Sequence, residues 1–165
     1  MPRSVAPATG QAPGTINDAF KAVQKAMLDT CLTTPTLAIG TTTTKVRTTA
    51  ACRLLIDGVY VLKASTDDAF TLAGTVNNAT FNVFVMTITA AGTCTARMGT
   101  AGATRAAVVW PAIPDGEVVV GFVEINPTGT GNFVGGTTAL TDGTVVPNAV
   151  YVNTPYPFNP NLLSL

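Results

Sequence analysis

The chain contains no histidine, and charged residues make up only 11% of its 165 positions. Histidine is the commonest general base in enzymes, and its absence excludes a serine-hydrolase triad. Ordinary soluble domains carry about 25% charged residues, so much of this protein's surface must be polar but uncharged. The nine basic and nine acidic residues cancel, and the basic residues form no run. Strong electrostatic attraction to nucleic acid or anionic lipid is therefore not expected.

Long apolar segments are also missing. No apolar stretch reaches about 18 residues, the length that indicates a membrane span, and we expect no membrane partner. The first residues, Met-Pro-Arg-Ser-Val-Ala-Pro, contain no apolar segment of the kind found in signal peptides, and none is expected. Cys31, Cys52 and Cys94 are widely spaced and odd in number. We interpret them as small, buried hydrophobic residues in a reduced protein; the alternative is one disulfide with a spare thiol.

The N-terminal part of the chain divides into an arm and a helix. Residues 1–14 are rich in proline, alanine and glycine, which predicts an extended or flexible arm, free or ordered on a neighbouring subunit. Residues 15–32 predict a helix, with Thr15 as N-cap and Pro35 just beyond its end. Its apolar stripe packs either on the sheet of its own domain or against helices of other subunits. The stripe consists of Ile16, Phe20, Val23, Met27 and Cys31.

Residues 33–152 read as one β domain with about eight to ten strands, because short threonine- and valine-rich runs follow one another without helices between them. This excludes a parallel α/β fold, which needs crossover helices, and predicts an antiparallel sandwich or barrel. Asp57-Gly58 between two apolar runs predicts a two-residue hairpin turn. Residues 80–89 are apolar on both faces, which predicts a central strand or one covered by the helix or a partner. Residues 103–110 also read as a strand.

Residues 153–165 carry three prolines and predict an extended tail, because proline is excluded from sheet interiors. The tail's large apolar side chains are costly to leave in water, so we expect them to contact neighbouring subunits or, alternatively, to fold back on the sandwich. The candidate contact residues for other subunits or a capsid are Phe20, Met27, Tyr156, Phe158, Leu162, Leu163 and Leu165.

No group of residues predicts catalysis, a cofactor or a metal. Asp67 and Asp68 are adjacent, and we interpret them as a solvated turn whose side chains diverge. Glu117 and Glu124 are an odd number of residues apart, which places them on opposite faces of one strand. The glycine-rich residues 129–136 lack the lysine and helix of a phosphate-binding loop. We therefore expect a protein that is not an enzyme.

One segment carries a resemblance. Residues 111–123, Pro-Ala-Ile-Pro-Asp-Gly-Glu-Val-Val-Val-Gly-Phe-Val, resemble a Pro-x-Ile/Val-Pro-x-Gly-x-x-x-x-Gly-x-Val pattern in small head-associated virion proteins of tailed bacteriophages. Residues 133–140 and 150–152 are similar to the continuation of that pattern. Those proteins are decoration or cement proteins, or head-fibre bases. The resemblance implies a β-sandwich or jelly roll that forms homo-oligomers on a capsid, and it carries over no functional residue.

The resulting prediction is an all-β, antiparallel β-sandwich, jelly-roll-like, with one N-terminal α-helix and extended termini. The function expected from the resemblance is a capsid decoration or cement protein, made in the host cytoplasm and located on the capsid surface, with the major capsid protein as partner. A homo-oligomer is expected, a trimer before a dimer. The alternatives are a tail or fibre component, or a cell-surface or carbohydrate-binding adhesion module.

Overall fold

The computed structural model describes residues 16–18, 20, 29–146 and 148–155. Residues 16–18 and 20 are helical, and a 3₁₀ turn spans Arg105–Ala107. The rest of the regular structure is β. The strands are β1 Thr30–Cys31, β2 Leu37–Ile39, β3 Lys45–Thr48, β4 Cys52–Ile56, β5 Val59–Lys63, β6 Phe70–Thr71, β7 Thr75–Val76, β8 Asn82–Thr89, β9 Cys94–Met98, β10 Glu117–Ile125, β11 Phe133–Val134 and β12 Val150–Asn153.

All strand pairs among the described residues are antiparallel, which confirms the predicted all-β antiparallel sandwich with one N-terminal helix. The largest sheet has the order β12-β10-β8-β9, and the smaller ones are β1-β4-β5, β2-β3-β6 and β11-β7. A main core of fully buried side chains draws on all four sheets, including Leu54, Phe70, Phe84 and Phe133. The rings of Phe84 and Phe133 meet edge to face at 5.9 Å.

Strand β8 is central, as its two apolar faces predict. Phe84, Met86 and Ile88 face the main core, whereas Val83 and Val85 face a second, smaller core on the other side of the sheet. Neither the helix nor a partner is needed to cover that second face within the described structure. The chain segment that follows β9 covers it with other apolar side chains.

That covering segment differs from the predicted strand at 103–110. A 3₁₀ turn occupies Arg105–Ala107, and only Val109 forms a bridge, to Thr100. Val108 and Trp110 turn inward onto the second core while Val109 is 60% exposed, so the apolar alternation at 108–110 is real. Residues 108–110 are therefore an extended segment that packs on the face of the large sheet, and they are not a strand of that sheet.

A β-bulge in β10 overturns the prediction that Glu117 and Glu124 lie on opposite faces. Val119 pairs with Thr87 and Gly121 with Met86, which leaves Val120 as an extra residue. Because the inserted residue inverts the side-chain alternation beyond it, both glutamates lie on the outer face of the large sheet, the side of the second core.

The boundaries of the β domain extend beyond the prediction at both ends. Thr30 and Cys31 belong to β1 and pair with Leu55 and Leu54, so the predicted helix through residue 32 is wrong at its end. Pairing with β4 buries both residues, which local helical spacing does not reveal. Asn153 belongs to β12 and accepts a hydrogen bond from the Leu37 amide at 2.9 Å. Asn153, the first residue of the predicted tail, therefore belongs to the sheet, while residues 156–165 and the predicted arm 1–14 lie outside the described part of the chain.

The predicted turn at Asp57-Gly58 is confirmed. Ile56 pairs with Val59 across it, and the two turn residues have φ of 51° and 76°. Positive φ at both central positions characterises a type I′ turn, whose twist matches that of the flanking strands.

Replacing Gly58 with valine is expected to lower the free energy of unfolding by at least about 1–2 kcal/mol, because a β-branched side chain is strained at positive φ. Urea unfolding followed by circular dichroism measures the effect. Gly58→Asn is the control, since asparagine tolerates this conformation and the variant should retain most of the stability. Equal stability of the valine and asparagine variants would contradict the prediction.

Candidate interaction surface

Most of the predicted contact residues lie outside the residues that the structure describes. Phe20 lies in the helical segment and is 66% exposed. Met27, Tyr156, Phe158, Leu162, Leu163 and Leu165 lie outside the described residues.

Asp67 and Asp68 lie in an exposed turn, as predicted, but their side chains do not diverge, because both accept hydrogen bonds from the loop at residues 41–42. Asp67 accepts a hydrogen bond from the Thr41 amide at 3.1 Å, and Asp68 accepts one from the Thr42 amide at 3.0 Å. The side chain of Thr42 also donates to Asp68. Hydrogen bonds from the hydroxyl and amide of Thr41 lower the pKa of Asp67, and the charge of Arg47 adds to this. Both carboxylates are thus engaged in holding the loop between β2 and β3.

A second polar cluster, formed by Glu117, Thr87 and Arg97, lies on the outer face of the large sheet. Glu117 accepts hydrogen bonds from Thr87 Oγ1 at 2.6 Å and from Arg97 Nε at 3.0 Å, and a second Arg97 nitrogen pairs with its other oxygen. The side chain of Glu117 is only 11% exposed. Burial acts to raise the pKa of Glu117, but hydrogen bonds from Arg97 and Thr87 and the charge of Arg97 outweigh it and lower the pKa. A carboxylate held ionised and fully engaged in this way is structural.

Replacing Glu117 with glutamine is expected to lower the free energy of unfolding at pH 7 by about 1–3 kcal/mol, because Arg97 then loses its charged partner. A lowered folded-state pKa stabilises the protein above the unfolded value of about 4.3, and this contribution is lost as pH falls through the folded-state pKa. The difference in the free energy of unfolding between wild type and variant should therefore become smaller below about pH 4. Urea titrations across pH measure it.

Glu124→Gln provides the matched control. Glu124 pairs with Arg105 on the same face, but the Arg105 side chain is 64% exposed. Glu124 is itself only 14% exposed, but an ion pair with one partner in solvent contributes about 1 kcal/mol or less, so this variant should lose less stability at pH 7. A pH-independent loss in Glu117→Gln would contradict the role assigned to the carboxylate.

The cysteines are free thiols, as interpreted from the sequence. Cys31 and Cys52 are buried in the main core, and Cys94 is half-buried. Burial raises the pKa of Cys52 to about 12, with the neighbouring Cys31 and Cys94 adding to the rise and Lys63 opposing it. A thiol so far from ionisation is a poor nucleophile, which leaves these residues a packing role.

Among the described residues, no group of three or more acidic, cysteine or histidine side chains is placed to hold a metal ion. No helix in that same part of the chain is long and apolar enough to cross a membrane.

The most distinctive surface feature is the hairpin strand β5. Val59, Tyr60 and Leu62 are 61%, 54% and 58% exposed, and Val61 is half-buried. Leu32, which donates its amide hydrogen to the Arg53 carbonyl on the neighbouring strand β4, is also exposed. Single exposed apolar residues are ordinary, but several adjoining ones on one hairpin indicate a contact surface. We call Val59, Tyr60, Val61 and Leu62 the β5 edge.

Sequence reasoning located this hairpin but missed its exposure. Four consecutive apolar residues after Gly58 are equally typical of a strand buried on both faces. The neighbouring strand β4 supplies no sequence signal either, because Leu54, Leu55 and Ile56 are also consecutive apolar residues and only their burial alternates.

No protein-family model, curated protein or solved structure matches the chain. Function is therefore inferred from the surface described above and from the resemblance in residues 111–123.

Proposed function

We propose that the protein is a structural component of a bacteriophage virion, a capsid decoration or cement protein that binds and stabilises the assembled head. The observation that carries the proposal is the β5 edge, a cluster of large apolar side chains left in solvent by an otherwise well-packed domain. Such a cluster is unfavourable in an isolated protein and favourable when another protein covers it.

The composition supports a contact role. With 11% charged residues and a formal net charge of zero, the protein has few ions to desolvate when its surface is buried. The acidic side chains that sequence reasoning considered for chemistry are occupied by turns and ion pairs, including Asp67, Asp68, Glu117 and Glu124. The proposal accordingly assigns a binding role and no reaction.

In residues 111–123, which carry the resemblance to virion proteins, two glycines have structural roles. Gly116 has φ of 76° in the turn before β10. Gly121 lies at the bulge, where a Cβ would be 2.6 Å from Leu37 Cδ1 and would overlap the Val152 carbonyl oxygen. The two glycines of the pattern therefore mark the turn before β10 and the point where β10 comes close to its neighbours. A motif of this kind reflects a shared fold rather than a shared catalytic site.

The proposed location is the capsid surface, reached after synthesis in the host cytoplasm, and the proposed partners are the major capsid protein and further copies of the chain. Quantitative mass spectrometry of purified virions tests this. A copy number comparable with that of the major capsid protein is expected for a decoration protein.

A few copies per virion would instead favour a tail or fibre component. Absence from virions would overturn the proposal, and glycan-array binding together with that absence would favour the adhesion module.

A further inference from the structure

We propose that β5 pairs antiparallel with β5 of a second copy of the chain, in a register centred on Val61, so that the β1-β4-β5 sheets of two copies join into one. This inference specifies one partner within the proposed structural role. It rests on the proposed function only in one premise, that another protein covers the β5 edge.

One side of β5 is open for such pairing. The strand ends the sheet of order β1-β4-β5, and the described residues form no backbone hydrogen bond to its side away from β4. In antiparallel pairs, residues bonded to the neighbouring strand alternate with residues whose backbone groups point away. Ile56 and Val59 close the two-residue turn as a bonded pair, so Tyr60 and Leu62 direct their N–H and C=O groups outward.

Residues 59–62 carry none of the usual protection against pairing, and the single charged residue of β5 is Lys63 at its end. Natural edge strands are guarded by proline, by bulges or by charged side chains. Residues 59–62 contain no proline and no charge, and β4 and β5 pair through five consecutive residues without a bulge. An unguarded apolar edge of this kind pairs with another strand unless something covers it.

The register follows from self-complementarity. Centring the two strands on Val61 places Tyr60 opposite Leu62 of the second copy, and the two-fold axis repeats this pair. The outward backbone groups of Tyr60 then face those of Leu62, which gives every one of them a hydrogen-bond partner. On the solvent face, each tyrosine ring packs on a leucine, a favourable cross-strand combination.

The charges at the strand ends select this orientation. Asp57 precedes β5 in the exposed turn, and Lys63 is its last residue. Antiparallel pairing brings the Asp57 end of each copy to the Lys63 end of the other, whereas parallel pairing would place like charges together. Charge complementarity therefore favours a second copy in antiparallel orientation, which builds a two-fold dimer.

Two double variants of the full chain test the register. One carries Tyr60→Lys with Leu62→Lys, the other Tyr60→Glu with Leu62→Glu. In the proposed register each variant places like charges directly opposite one another, which should raise its homodimer dissociation constant by about tenfold or more. Mixing the two variants places opposite charges together and should restore the dimer. Sedimentation equilibrium over a protein concentration series measures all three, and circular dichroism checks folding, which these exposed positions should preserve.

Val109→Lys and Val109→Glu are the matched controls, because Val109 is 60% exposed but lies on the cover of the second core. They should dimerise as the wild type does. A wild-type chain that stays monomeric across the series overturns the inference, as does an oligomer that both β5 variants leave intact or that mixing fails to restore. The virion measurement stands apart from these outcomes: a β5 dimer absent from virions refutes the proposed function only, and a virion protein whose β5 variants associate normally refutes the pairing only.

Discussion

Replacing Phe84 with alanine is expected to lower the free energy of unfolding by about 3–5 kcal/mol, the usual range for a fully buried phenylalanine. Phe84 lies on the central strand β8, is completely buried and contacts the ring of Phe133. Removing it eliminates apolar burial and leaves a cavity that β8 cannot close, because the strand is held between β9 and β10. Urea denaturation with circular dichroism and tryptophan fluorescence measures the loss.

Phe20→Ala is the matched control, since the same side chain is removed from a position that is 66% exposed. A surface truncation of this kind should change the free energy of unfolding by no more than about 0.5 kcal/mol. If the two variants lose similar amounts, Phe84 does not occupy the centre of the main core.

Gly121→Ala is the second substitution with a large expected effect. Val120 and Gly121 both face the main core at the bulge, and a Cβ at Gly121 would lie 2.6 Å from Leu37 Cδ1 and overlap the backbone of β12. The Val152 carbonyl belongs to β12, which pairs with β10 over four residues, so the backbone that the added Cβ would overlap does not move easily. We expect the free energy of unfolding to fall by about 1–3 kcal/mol or more, as for other overpacked cores.

Gly143→Ala tests whether the loss is specific to that position. A Cβ at Gly143 would have no atom within 4 Å, and the residue does not have positive φ. Alanine at a compatible glycine position is neutral or stabilises by about 0.4–1 kcal/mol, by restricting the unfolded chain. Thermal unfolding should therefore separate the two variants in opposite directions, and an equal loss in both would disprove the close approach at Gly121.

Sequence patterns over a few adjacent residues were enough to predict the turns and strands whose geometry depends on those residues alone. The Asp57-Gly58 turn and the two-faced strand β8 were predictable because turn geometry and side-chain alternation are set by residues adjacent in sequence. Strand β1 was not, because Thr30 and Cys31 pair with residues more than twenty positions away. Their spacing fits a helical stripe equally well until the partner strand is known.

The bulge and the β5 edge were hidden for related reasons. Three consecutive valines, Val118 to Val120, give no sign that one of them is the extra residue of a bulge. Regular strand alternation therefore predicted Glu117 and Glu124 on opposite faces. Exposure of Tyr60 likewise depends on β5 being the last strand of its sheet, a property of topology rather than composition. The apolar side chains of the β5 edge were therefore visible in the sequence, whereas their exposure was not.

The bulge at Val120 also determines how β10 is able to assemble. In a regular antiparallel sheet, sliding a strand by two residues keeps every side chain on its own face, so hydrophobic pattern alone does not forbid the slip. In β10 such a slide would move Gly121 away from Leu37 and the Val152 carbonyl and bring a larger side chain against them. The bulge and the glycine beside it therefore favour the one alignment of β10 in which Gly121 lies against the Val152 carbonyl.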